Sequence, residues 1–434
     1  MNQPISSRAW SSINKWIFLT CSNFFIFNTL SKLFAILLIW HKRGGSLVGD
    51  WIDAKLAIPI AWLDYHFYHL GFNPKTSELW PDDNYYGLIY YTSLPLFFAI
   101  LAVVIVWLWG KKINFDKLNY WIRLYLRYML AFILFGYGIV KIIPAQMAPP
   151  FLYDLFTPLG DYGRYGLFWA FIGASKPYEI FAGICETVAA LMLFNNRTKI
   201  FGLLTALTVM ANVLAYNYMY NVSVKFYSTF IMLLIIWLLT PYIKYLFAFF
   251  FQNRLLTLQE KKYGFSKPIW NAGFKILLII IPSIYIMFRI PSATRWYNKS
   301  EKNYRAQKLY EVKEQFASDS LFHNTPDSLR WKRFMLTSDG WNRHFAVCQL
   351  ANDKMEYYYY KIDTSAKQIN LRNFNTKIVD TAIFSGFSAG NNNSTISGSW
   401  RKRDMKMELK YIPLDSLKFN LNKPQFNFVQ RDER

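Results

Sequence analysis

Cysteine is nearly absent from this sequence. Cys21, Cys185 and Cys348 are the three copies in 434 residues, and no C-x-x-C pair occurs. That argues against a membrane dithiol relay and leaves Cys185 as a packing residue within an apolar run. Histidine is as scarce: His41, His66, His69, His323 and His344 all fall outside the confident spanning runs. A membrane haem held by paired axial histidines would need them at bilayer depth, so that class is excluded. His66 and His69 share a helix face with Asp64 nearby, yet no third and fourth ligand is visible, and no metal site is read here. No nucleophile–base constellation, phosphate-binding glycine loop or dinucleotide fingerprint occurs. Acidic residues are few as well, 27 against 49 Lys and Arg, for a net charge of +22. The excess does not mark a nucleic-acid binder. Many of the basic residues before 290 cap apolar runs, and residues 291–434 hold 24 Lys/Arg against 15 Asp/Glu, with Arg401-Lys402-Arg403 the densest run.

What the chain has in abundance is apolar and aromatic surface, 53% and 19% of residues. Up to about residue 290 it is organised in runs of membrane-spanning length, roughly 16–40, 86–109, 121–143, 177–194, 200–220, 224–239 and 269–287. Residues 51–72 are interrupted by Asp53, Lys55, Pro59 and Asp64, which suits a helix lying at the interface. Residues 144–176 are irregular, a long loop or a re-entrant piece buried against protein. After 290 the pattern changes to short strand-like runs such as RWKRFML, RHFAVCQL and MEYYYYKI, separated by turn formers.

The expected fold is therefore an α-helical polytopic membrane protein of about seven spans with a C-terminal antiparallel β sandwich or small barrel. Residues 1–120 form an N-terminal region with two spans and the interfacial helix. Residues 121–251 form a four-helix membrane unit, 252–290 a seventh span, and 291–434 the β-rich domain. Loop charges set the orientation. Lys111, Lys112, Arg197 and Lys199 gather on one side, which puts the N-terminus in the cytoplasm and the β-domain outside; Lys42 and Arg43 run against that bias.

Glu186 is the sharpest residue, because an acidic group near the middle of a span costs about 2.5–3.5 kcal/mol on insertion. It must be paired, protonated or facing a wet cavity, and Lys141, at the end of the third span, is its expected partner. Asn212 is a candidate lining residue of that polar centre. Asn217 suits an interhelical hydrogen bond. Asp161, Arg164, Asn217 and Lys225 fall on the outer side, as a weaker vestibule.

FGYGIVKIIPAQM, then a long loop, then FAGICETVAALMLFNNRTKIFGLLTALTVMANV, resembles the membrane domain of the DoxX-like family. Gly138 and Lys141, Gly183 and Glu186, and Arg197 and Gly202 occupy the places of that pattern, over about residues 121–245. The resemblance implies a four-helix membrane bundle, and some members are subunits of a thiosulfate:quinone oxidoreductase. Quinone is thus suggested by resemblance; the residues themselves show no cofactor ligands. Three functions stand open: an inner-membrane component linked to redox or quinone chemistry, a small-molecule or proton-linked transporter, and an assembly factor whose β-domain binds a periplasmic partner. The absence of an inverted repeat weakens the second.

Overall fold

Backbone polar groups in hydrocarbon need internal partners, and a helix supplies them all, so the long apolar runs fold as helices. The computed structural model describes residues 10–39, 47–74, 83–109, 113–257, 263–264, 268–317, 320–321, 327, 329–338, 344–374, 381–387, 393–401, 403–417 and 419. Lys42, Arg43, Lys111 and Lys112, used above to orient the chain, lie outside the described residues.

The helices are α1 (Ser12–Ile39), α2 (Leu47–Leu63), α3 (Tyr85–Leu88), α4 (Leu94–Trp109), α5 (Phe115–Ile142), α6 (Leu152–Phe156), α7 (Arg164–Gly173), α8 (Lys176–Phe194), α9 (Lys199–Met219), α10 (Lys225–Leu239), α11 (Ile243–Gln252) and α12 (Pro268–Arg305). A π turn joins α3 to α4, and a 3-10 turn joins α10 to α11. Among the described residues five helices are long and apolar enough to cross a membrane: Tyr85–Leu108, Phe115–Ile142, Lys176–Phe194, Lys199–Met219 and Lys225–Gln252. The sequence led us to expect seven. The other two runs lie in α1 and α12, parts of which fall outside the described side chains.

Contacts divide the chain into a helical unit, residues 1–139 and 182–290, and a β-unit, residues 140–181 and 291–434. The apolar core of the helical unit draws Leu126 and Leu130 from α5, Ala189 and Leu193 from α8, Leu203 and Ala206 from α9, and Leu234 and Leu238 from α10. Phe25 of α1 joins the same cluster, so its packing extends beyond the four helices expected to form a bundle. α8 is held on two sides by glycines. A Cβ at Gly138 would lie 2.3 Å from Thr187 Oγ1 and 2.8 Å from Gly183 O, and one at Gly202 would lie 2.8 Å from Met192 Cβ. Small residues at such crossings let helix backbones approach where lipid gives no hydrophobic drive to associate.

In the β-unit, β1 (Lys308–Ala317), β3 (Trp331–Ser338), β4 (His344–Leu350), β5 (Met355–Asp363), β6 (Gln368–Asn373), β7 (Thr381–Ser385), β8 (Asn393–Trp400) and β9 (Arg403–Ile412) pair in order, each antiparallel to the next. β9 pairs back onto β1, Leu309 facing Ile412, and closes an eight-stranded barrel; the two-residue β2 (Ser320–Leu321) folds against the end of β1. Closure settles the choice between sandwich and barrel, and it removes the sheet edges. The interior is filled: Tyr310, Trp331, Phe334, Tyr358, Phe384 and Trp400 are all at most 2% exposed. Trp331 stacks on Phe334 at 5.6 Å and meets Trp400 edge-on at 5.5 Å.

Substituting Gly138 by Val forces the α5–α8 crossing apart and is expected to cost about 1–3 kcal/mol, an overpacking penalty. Thermal unfolding of the purified protein in detergent checks this. Gly166→Ala inside α7, where a Cβ finds ordinary contacts of 3.5 Å or more, serves as the neutral control.

Candidate functional site

α8 begins at Lys176 because Ser175 O accepts from the amides of Tyr178 and Glu179. Glu179 sits in its first turn and is 1% exposed. Its Oε1 accepts from the backbone amides of Gln146 and Met147, each at 2.9 Å, in the turn that follows α5. Among the described residues its Oε2 is buried and takes no hydrogen bond, and the same holds for Oε1 of Gln146. The charges of Lys141 and Lys176 both act on Glu179. Lys141 is buried in the last turn of α5, and Lys176 is bound by Tyr297 and Glu301 of α12. Sequence reasoning passed over Glu179, because an acid at a helix N-terminus reads as an ordinary dipole charge. Its burial could have been suspected from the apolar run on both sides.

Glu186 is 3% exposed, in the helical unit, beside the turn Gly183–Thr187 against which Gly138 packs. Seven residues separate it from Glu179, nearly two helical turns, so both carboxylates occupy one face of α8. Lys141 belongs to the β-unit and Glu186 to the helical unit.

The two asparagines of α9 differ in burial. Asn212 is exposed, whereas Asn217 is 0% exposed and, among the described residues, neither its Oδ1 nor its Nδ2 reaches a partner. Position along a span predicts depth in the bilayer, but the face of the helix decides burial. Lys225 is an anchor: its Nζ and backbone amide both reach Asp83 Oδ2, at 3.1 and 2.9 Å, while Phe226 N reaches Asp83 Oδ1 at 3.1 Å. Asp83 thus caps α10 from another element. Asp161 and Arg164 are exposed, one in a 3-10 turn and the other opening α7. Asp64 accepts from the amides of Leu70 and Phe72 at 3.0 and 2.7 Å, which makes it a turn residue.

The stretch 144–176 includes α6, which docks on the outside of the barrel. Leu152 packs with Leu309, Met335 and Val347, and Leu152 N donates to Gln307 Oε1 at 3.0 Å. Arg333 lies 4.3 Å over the Phe156 ring. Asp154 holds the start of α6 by accepting from Phe151 N at 2.8 Å.

Together these features define a helical protein with, among the described residues, five helices of membrane-crossing length and character, and a closed β-barrel. The chain is 30% identical over 118 residues to the uncharacterized protein YwoB of Bacillus subtilis (strain 168), a match covering 26% of this chain and 73% of that protein, and it belongs to that protein's family. No family model and no solved structure matches it.

Burial pushes the Asp154 carboxyl up to about 6, with the Phe151 amide opposing the shift. A raised folded value favours the protonated form, so the stability Asp154 contributes is full below about pH 4 and is lost as pH rises through about 6, on the order of 2 kcal/mol. The melting temperature of Asp154→Asn should lack this fall. A wild-type minus variant difference that stays flat from pH 4 to 7 would contradict it.

Proposed function

We propose that the chain is a DoxX-like integral inner-membrane protein linked to quinone redox chemistry, with the buried carboxylates of α8 as its proton-handling groups. In this reading the four helices α5, α8, α9 and α10 are the family's bundle, α1 and α12 add two spans for a total of about seven, and the barrel is periplasmic. The observation that carries the reading is Glu186, 3% exposed in a helix long and apolar enough to cross a membrane; Glu179, in the first turn of that helix, is 1% exposed. Buried ionisable groups in a spanning helix are costly and mark proton or substrate pathways.

A quinol head offers two hydroxyl protons and needs an acceptor at the level of the acyl chains. Glu179 Oε2, buried and without a hydrogen bond, has that character, so the residues fit the group. Bound quinone supplies two-electron chemistry with two protons; the chain contributes the acceptor, the fixed orientation of Glu179 through Gln146 and Met147, and exclusion of water.

The filled barrel favours a second role for that domain. Its middle is packed with aromatic rings, so in this reading its outer face is the surface through which it acts, as a contact site for a periplasmic partner.

Purified protein given a short-chain quinol and ferricyanide as the electron acceptor should quench tryptophan fluorescence and release two protons for each quinol oxidised. Glu186→Gln and Glu179→Gln should each slow proton release by about 10²-fold, the usual contribution of a positioned acid–base group. Wild-type protein that neither binds the quinol nor releases protons rules the reading out, as do variants indistinguishable from it.

A further inference from the structure

Two arginines stand one turn apart on α5, and their surroundings differ. Arg123 is satisfied at every nitrogen: Nε donates to Asn119 Oδ1 at 2.7 Å, Nη1 to Trp237 O at 2.8 Å and Nη2 to Thr240 Oγ1 at 3.2 Å. Its guanidinium also lies 3.5 Å over the Trp237 ring. Arg127 is more deeply buried, at 7% exposure, between Leu126 and Tyr128. Among the described residues neither its Nε nor its Nη2 reaches an acceptor, and its guanidinium lies beside the Tyr128 ring, 5.4 Å from Cζ.

Three physical points make that arrangement specific. Arginine does not shed its proton in proteins, so burial cannot be relieved by neutralisation. An isolated buried charge costs several kcal/mol unless it is paired and hydrogen-bonded. Finally, Nε–H and Nη2–H project from the same edge of the planar guanidinium, the edge that grips two oxygens of one carboxylate or phosphate in parallel. The two donors without acceptors are thus a matched pair. Arg127 lies about 18 Å from the start of α5 at 1.5 Å per residue, within a helix of membrane-crossing character.

We propose that Arg127 is the binding site of an oxyanion, a carboxylate or phosphate group held bidentate on its Nε–Nη2 edge. The anion is either a lipid headgroup or a small soluble acid; both present the same two-oxygen edge. The inference is independent of the quinone reading, because it concerns another helix and another charge.

The test uses the full-length protein with wild-type Arg127, Arg127→Lys and Arg127→Met. Lysine keeps the charge and loses the planar edge; methionine keeps the bulk and loses both. In one arm, inorganic phosphate and acetate are titrated in detergent and read by thermal shift. In the other, each protein is placed in nanodiscs of phosphatidylglycerol and phosphatidylcholine, and retained lipid is counted by native mass spectrometry. Wild-type protein should be stabilised by one of the free anions, or should retain phosphatidylglycerol selectively. Arg127→Lys should weaken that response about tenfold, as expected for losing one charge-assisted hydrogen bond. A response in the first arm assigns a soluble acid and one in the second a lipid headgroup. No response from wild-type protein in either arm, or a response that Arg127→Lys retains in full, overturns the proposal. The lysine variant keeps the test decisive if Arg127→Met does not fold.

Discussion

The crossing of α5 and α8 at Gly138 is the constraint on which the helical unit depends. Its backbone lies so close to the turn Gly183–Thr187 that even a methyl group would collide with Thr187 Oγ1 and Gly183 O. In lipid the hydrophobic effect does not press helices together, and close packing of small residues takes its place. Gly202 repeats the arrangement farther along α8, against Met192. α8 is therefore fixed on two sides, and it is the helix that holds Glu186. A buried carboxylate demands this rigidity, since water that entered through a loosened crossing would compete for its partners.

Three acids in this chain use one device with different completeness. Asp64 captures two turn amides, one on each oxygen, and Asp83 captures the first two amides of α10 with its two oxygens. Both are then fully occupied and serve as clasps. Glu179 takes two successive amides on Oε1 alone, which leaves Oε2 buried with no hydrogen bond. The first two arrangements are complete as structure. The third fixes the carboxyl group through one oxygen and leaves the other, among the described residues, without a hydrogen bond.

Much of this was legible beforehand, and the failures share a cause. Helical runs, the shift in character near residue 290 and the strand-like tail follow from periodicity. The glycines of the Gly-x-x-Lys and Gly-x-x-Glu pattern proved to be packing residues, a meaning the spacing alone does not carry. Asn212 and Asn217 were ranked by depth, yet five residues turn a helix by well over a quarter turn, and only neighbouring helices decide which of them is buried. Arg127 drew no notice in the sequence, because nothing in WIRLYLRYML shows which of its two arginines is buried without a hydrogen-bond acceptor. α6 had a signal that was missed. β9 alternates between buried and exposed from Asp404 to Lys410, whereas β3 and β4 end in unbroken buried runs, and a strand buried on both faces requires a cover.

That cover changes what the barrel is for. Aromatic rings fill the middle of the barrel, and closure leaves no edge strand among the described residues of the eight to recruit another chain. Trp400 donates to Tyr358 at 3.0 Å, Tyr358 donates to Glu356 at 2.8 Å, and Arg401 grips the same carboxylate at 2.7 Å, a chain of hydrogen bonds that ties β5 to the β8–β9 turn. What remains is the outer surface, and one sector of it is already committed to α6 through Leu152, Phe156 and Gln307. Because α6 lies between the last turn of α5 and the first turn of α8, barrel and interhelical segment form one folding unit that also contains Lys141 and Glu179. Anything that shifts β1, β3 or β4 must move α6 or break its hydrogen bonds, and the turn that clamps Glu179 begins only five residues before α6. The barrel is placed to bear on the conformation of that turn, which a freely tethered domain would not do.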